Sequence, residues 1–104
     1  MNMAQYQISA KETAIYPQAH AVTYPILGLA GEIGEFANKW KKTIRDGATL
    51  DPEWAMHELG DMLWYLSAIC TDLHFDLSDV AQMNVDKLRS RAERGVLGGN
   101  GDER

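Results

Sequence analysis

One cysteine, Cys70, is the whole thiol content of this 104-residue sequence. No disulfide can form within the chain, so a reducing, cytoplasmic compartment is expected. Long apolar runs are missing as well. The longest, Met62 to Leu66, is far short of the roughly 18–20 residues of a membrane span. The opening residues, Met1-Asn2-Met3-Ala4-Gln5-Tyr6, carry neither a basic lead-in nor an apolar core, so no signal peptide is expected. Positive charge is in deficit: 15 acids against 10 bases give a net charge of −5, which argues against a nucleic-acid binder working by bulk charge. Repeats, alternating β-branched runs and hairpin dipeptides are absent too. These absences exclude a disulfide-stapled mini-protein, a membrane protein, a β fold and a two-domain nucleotide-binding enzyme.

What is present is one globular domain, 45% hydrophobic and 24% charged, with punctuation that favours helices. A first helix is expected over Asn2 to Ile15, stopped by Pro17, and a loop over Tyr16 to Thr23. The second helix runs from Tyr24 to Arg45, with Pro25 in its first turn, Gly47 past its end, and Ile26, Leu29, Ile33, Phe36, Trp40 and Ile44 at helical spacing. A third begins at Asp51-Pro52-Glu53, a cap, a first-turn proline and a dipole-matched acid, and extends to about His74. A fourth starts near Asp76 or Ser78 and stops at Gly95. Residues 1–95 then form the domain, and 96–104, rich in glycine, a flexible tail. The class is all-α with four helices. Between Met62 and Cys70 only Ser67 is clearly polar, so the third helix needs cover on several sides, either from a generous core or, the favoured reading, between subunits.

Chemistry concentrates in polar stripes. Glu32 and Glu35 lie three apart on the second helix, followed by Lys39 and Lys42. The third carries Glu58, Asp61 and Tyr65, and the fourth Asn84, Lys87, Arg91 and Arg94. Should the second and third helices pack, four carboxylates converge. Hard oxygen donors in that number suit magnesium or manganese and, through the metal, a phosphate substrate. Gly28, Gly31, Gly34 and Gly60 interleave with the acids. Each costs about 1 kcal/mol in a helix, which points to close helix approach or room for a metal and its waters. The plainer alternative for any one pair is solvated helix surface, with Glu35 paired to Lys39.

The segment Gly28-Leu29-Ala30-Gly31-Glu32-Ile33-Gly34-Glu35, followed 22 residues on by Glu58-Leu59-Gly60-Asp61, resembles the MazG-like nucleotide pyrophosphohydrolases of the all-α NTP pyrophosphatase superfamily. Asn84 and the Lys87-Leu88-x-x-Arg91 element resemble the family's later, phosphate-binding part. The resemblance implies magnesium-dependent cleavage of a nucleoside triphosphate between its α and β phosphates, in a four-helix bundle completed as a homodimer or homotetramer. On that basis Glu32, Glu35, Glu58 and Asp61 are expected as metal ligands, with Glu35 or Glu58 as general base. Asn84, Lys87 and Arg91 are expected on phosphates, with Lys39 and Lys42 in second rank. Tyr65, Trp40 and His20 are candidates for the nucleoside, with Trp54 and Trp64 as further wall residues. His57 and His74 are read as structural or exposed, with no function, and Cys70 as a buried small hydrophobe.

Two other classes compete. A di-iron or di-manganese carboxylate bundle needs Glu-x-x-His pairs, and no glutamate here has a histidine three residues on. A non-catalytic helical oligomerisation module would leave the acids merely solvated. Within the enzyme reading, phosphoribosyl-ATP or (p)ppGpp are alternative phosphoanhydrides.

Overall fold

Asn2 closes the first helix with a capping box: its side chain accepts from the Gln5 amide, and the Gln5 side chain accepts from the Asn2 amide. The computed structural model describes residues 1–104, and it contains four α-helices and no strand. They are α1 (Met3–Lys11), α2 (Thr23–Asp46), α3 (Pro52–Asp72) and α4 (Leu77–Glu93). The all-α, four-helix expectation holds. Its boundaries shift in places. Helix α1 ends four residues before Ile15, and the following loop holds a 3-10 turn at Gln18–His20. Helix α3 ends two residues before His74, where a positive φ of 63° turns the chain.

The starts and stops have local causes. Asp51 caps α3 by accepting from the Glu53 amide, with Pro52 in the first turn. Gly47 ends α2 in the left-handed region at φ 64°, a geometry that costs glycine nothing. The start of α2 is different. Val22 precedes it at φ 66° and ψ −54°, an outlying backbone for a β-branched residue, with no side-chain cap of its own. Asp72, at the far end of α3, takes over that function. Its Oδ2 accepts the Val22 N–H at 2.8 Å and the Tyr16 hydroxyl at 2.6 Å.

Helices α2 and α3 form an antiparallel hairpin, the most extensive packing in the chain. Its register follows from pairs along its length: Val22 meets Asp72, Gly28 meets the Tyr65 ring, and Phe36 stacks on Trp54 with centroids 5.4 Å apart. In each pair the residue numbers sum to between about 90 and 94, as constant antiparallel register requires. Helix α1 lies against α3, where the Trp64 indole N–H donates to the Ala10 carbonyl and the Thr13 hydroxyl. Gln7 links α1 to the α3–α4 junction, donating to Thr71 Oγ1 and the Phe75 carbonyl and accepting from the Leu77 amide.

The single chain is open. Its radius of gyration is 16.6 Å, against about 13 Å for a compact chain of this size. Only eight residues are buried, and three of those are Thr43, Ser67 and Arg91. Ile33, Trp40, Ile44, Met56, Leu59 and Leu66 all stay exposed. The four helices therefore do not close a bundle around one core within one chain.

Candidate metal centre

The hairpin register sets Glu32 of α2 against Glu58 and Asp61 of α3. Carboxylate oxygens from these three residues all lie within 4.8 Å of one another. No lysine, arginine or histidine forms an ion pair with any of them. Oε2 of Glu32 and Oε2 of Glu58 are buried and have no hydrogen-bond partner. Three acids held together without a compensating cation disfavour full ionisation. The Glu32 carboxyl is pushed up from its ordinary 4.5 to about 7, first by the neighbouring Glu58 carboxyl, then by burial, then by the charges of Glu35, Glu58 and Asp61. Buried acceptor oxygens without donors, all from hard carboxylates, are what a divalent cation such as magnesium or manganese would satisfy. The residues present fit that group.

Glu35 stands apart from the trio. It is exposed, one turn beyond Glu32, and its charge reaches Glu32 without its oxygens joining the cluster. The four-carboxylate expectation thus becomes three converging acids with a fourth beside them.

Tyr65 closes one side of this cluster. A cleft lined by Glu32, Asp61, Trp64 and Tyr65 opens over the acids. The Tyr65 ring lies so close to α2 that a Cβ on Gly28 would overlap it. Gly28 is therefore needed for close approach, whereas Gly31, Gly34 and Gly60 face open space in the single chain. Burial, then the charges of Tyr24, Glu32, Asp61 and Glu35, raise the Tyr65 phenol above its ordinary value. Two nearby groups escaped the sequence reading. Tyr6 of α1 has its phenol raised by burial and by Asp61, and Tyr24 stacks on Tyr16 at 4.7 Å. Tyr6 stands in no polar stripe with the acids, so spacing carried no signal for it. Tyr24 does lie one turn before Gly28 on the Glu32 face.

The remaining candidates lie elsewhere. Lys39 sits over the Trp54 ring, 5.8 Å from its centroid, and Lys42 is near Asp46. Trp40 lines a wholly apolar groove with Ile33, Phe36, Leu50, Leu59 and Met62. His20 is exposed on the 3-10 turn, and Asn84 is exposed on α4. Lys87 and Arg91 do not meet the acids in this chain; both bind Asp102. Arg91 is only 4% exposed, which removes its guanidinium from direct reach of solvent. Cys70 is buried, and burial pushes its thiol up.

Comparison with known proteins adds an independent line. The family described as the MazG nucleotide pyrophosphohydrolase domain matches residues 20–96. The chain is also 42% identical, over an alignment of 114 positions covering 100% of both chains, to the Gene 37 protein of Mycobacterium phage L5. No solved structure gives a significant match. The matched span holds α2, α3 and α4, with the whole carboxylate cluster, and leaves α1 outside.

Proposed function

Because the chain belongs to the MazG nucleotide pyrophosphohydrolase family, we propose that it hydrolyses nucleoside triphosphates between the α and β phosphates, using magnesium, to a nucleoside monophosphate and pyrophosphate. The observation that carries this reading is the trio of Glu32, Glu58 and Asp61, with two buried carboxylate oxygens that nothing in the chain satisfies. A triphosphate is polyanionic, so these acids repel it unless a divalent cation stands between them. When bound, that cation supplies positive charge against the phosphates and lowers the pKa of the attacking water. Manganese offers the same oxygen chemistry.

Within that frame each residue has a role. Glu32, Glu58 and Asp61 hold the cation. Glu35, exposed beside the trio, is free to take the proton of the attacking water, with Glu58 as the other candidate base. Water oxygen adds to the α phosphorus, the bond to the α–β bridging oxygen breaks, and pyrophosphate leaves. Tyr65 bounds the cleft on the nucleoside side. Lys87 and Asn84 on α4 meet the outgoing phosphates. The open shape and the apolar groove around Trp40 support assembly as a homodimer or homotetramer, in which α4 of one copy can complete the site of another. The role that follows is control of the nucleotide pool, including removal of non-canonical triphosphates, in the cytoplasm. No helix is long and apolar enough to cross a membrane.

Conservative replacements test the assignment. Glu32→Gln and Asp61→Asn should each lose magnesium binding by calorimetry and lower turnover by more than about 100-fold, while the helical circular-dichroism spectrum is kept. Activity retained in both variants would overturn the metal assignment.

A further inference from the structure

Residues 97–104 follow the span matched by the family, and they turn back onto α4. Arg104 winds this segment by donating from its guanidinium to the carbonyls of Val96 at 3.0 Å, Leu97 at 3.1 Å, and Gly101. The winding brings Asp102 over the last two turns of α4. There the Asp102 main-chain carbonyl accepts from Arg91 Nη2 at 2.6 Å, and its Oδ1 lies 3.3 Å from the same nitrogen and 3.4 Å from Lys87 Nζ. Arg91 and Lys87 are one helical turn apart on one face. They differ in access: Arg91 is 4% exposed, and the Lys87 side chain 43%.

We propose that Asp102 is a positioning residue: anchored by the buried Arg91, it holds the Lys87 ammonium in place to receive substrate phosphate. The proposal rests on the reading of Lys87 as a phosphate contact. An exposed lysine samples many rotamers, and fixing it only when substrate arrives costs binding free energy. One Lys87 N–H directed at Asp102 Oδ1 leaves two for phosphate oxygens. One carboxylate between two cations leaves the cluster net positive, so attraction for phosphate survives. The shortest contact to Arg91 is made by the neutral main-chain carbonyl, so a phosphate that displaced the carboxylate alone would not release the segment. Arg91 therefore acts through Asp102 and Lys87, which differs from the direct phosphate contact that the family resemblance implied.

Steady-state kinetics on the full chain, with its best triphosphate and saturating magnesium, decide the matter. Asp102→Asn should raise KM about fivefold while kcat changes less, because pre-organisation of a binding group is lost. Asp102→Glu should recover part of the rise. Lys87→Met should raise KM alone and add little on top of Asp102→Asn, since the two act as one unit. Amide hydrogen exchange reads the anchor without substrate: protection over residues 97–104 should be present in the unaltered chain and lost in Arg91→Ala. An unchanged KM in Asp102→Asn overturns the proposal. So does a lowered KM, which would make the carboxylate a competitor of phosphate, and so does an unprotected segment in the unaltered chain. If the unaltered chain hydrolyses no triphosphate, the reading of the site fails and this proposal falls with it. Exchange would then show separately whether Arg91 and Asp102 hold the segment.

Discussion

Glu32 Oε2 and Glu58 Oε2 lie buried without donors, and in the proposed metal site their repulsion would tie cation binding to pH at the scale of single residues. The Glu32 carboxyl, raised to about 7, holds a proton in the folded metal-free chain across a range where the unfolded chain has released it. Its contribution to stability is therefore full below its ordinary 4.5 and is lost as pH rises through 7. A divalent cation competes with that proton. Magnesium affinity should fall about tenfold per pH unit below 7, with one proton released per ion bound. Calorimetry at pH 6 and pH 8, in buffers of differing ionisation enthalpy, measures both. Equal affinity at the two values would contradict the cluster as described. Spacing in the sequence showed Glu32 with Glu35 and Glu58 with Asp61 as paired acids on two helices. It carried no information on which of the four acids meet, because that depends on the rotation and register of α2 against α3. Glu35 falls outside the trio for this reason.

At the scale of elements, Asp72 is the joint of the hairpin. It accepts from the Val22 amide at the start of α2 and from the Tyr16 hydroxyl in the preceding loop; burial first, and then Asp72, push that phenol well above its ordinary value. Asp72→Ala leaves both donors unpaired beside an already unfavourable Val22 backbone. A loss of roughly 1–3 kcal/mol follows, to be read by urea unfolding at fixed protein concentration. A change under about 0.5 kcal/mol would place the joint elsewhere. The helices themselves were legible. Asp51-Pro52 starts α3 and Gly47 ends α2 where sequence rules put them, because caps and punctuation are local. The joint was not. Asp72 and Val22 are 50 residues apart, and nothing in periodicity announces a cap supplied from another helix. The fold-back of residues 97–104 escaped for a related reason: three glycines read as a loose tail, while the order comes from Arg104 and Asp102 meeting distant carbonyls and cations.

The whole molecule is open as a single chain. A radius of gyration of 16.6 Å, eight buried residues, and an apolar groove of Ile33, Phe36, Trp40, Leu50, Leu59 and Met62 describe an exposed apolar face of the kind that interfaces use. The apolar stretch of α3 had already pointed this way, and Leu63 and Leu66 there remain partly exposed. Sedimentation equilibrium should give a dimer or tetramer. Trp40→Glu, a charge in the groove, should shift the population to smaller species and lower activity together. A monomeric chain at micromolar concentration would contradict assembly through this face. Such an assembly matters for chemistry because α4, with Lys87 and Asn84, packs on α1 and α3 in its own chain. The most direct test of the central claim is product analysis after incubation with canonical and modified ribo- and deoxyribonucleoside triphosphates, with magnesium and with an EDTA control. Pyrophosphate and nucleoside monophosphate are expected in equal amounts, abolished by EDTA. Orthophosphate with nucleoside diphosphate, or no turnover of any triphosphate with magnesium or manganese, would contradict that claim.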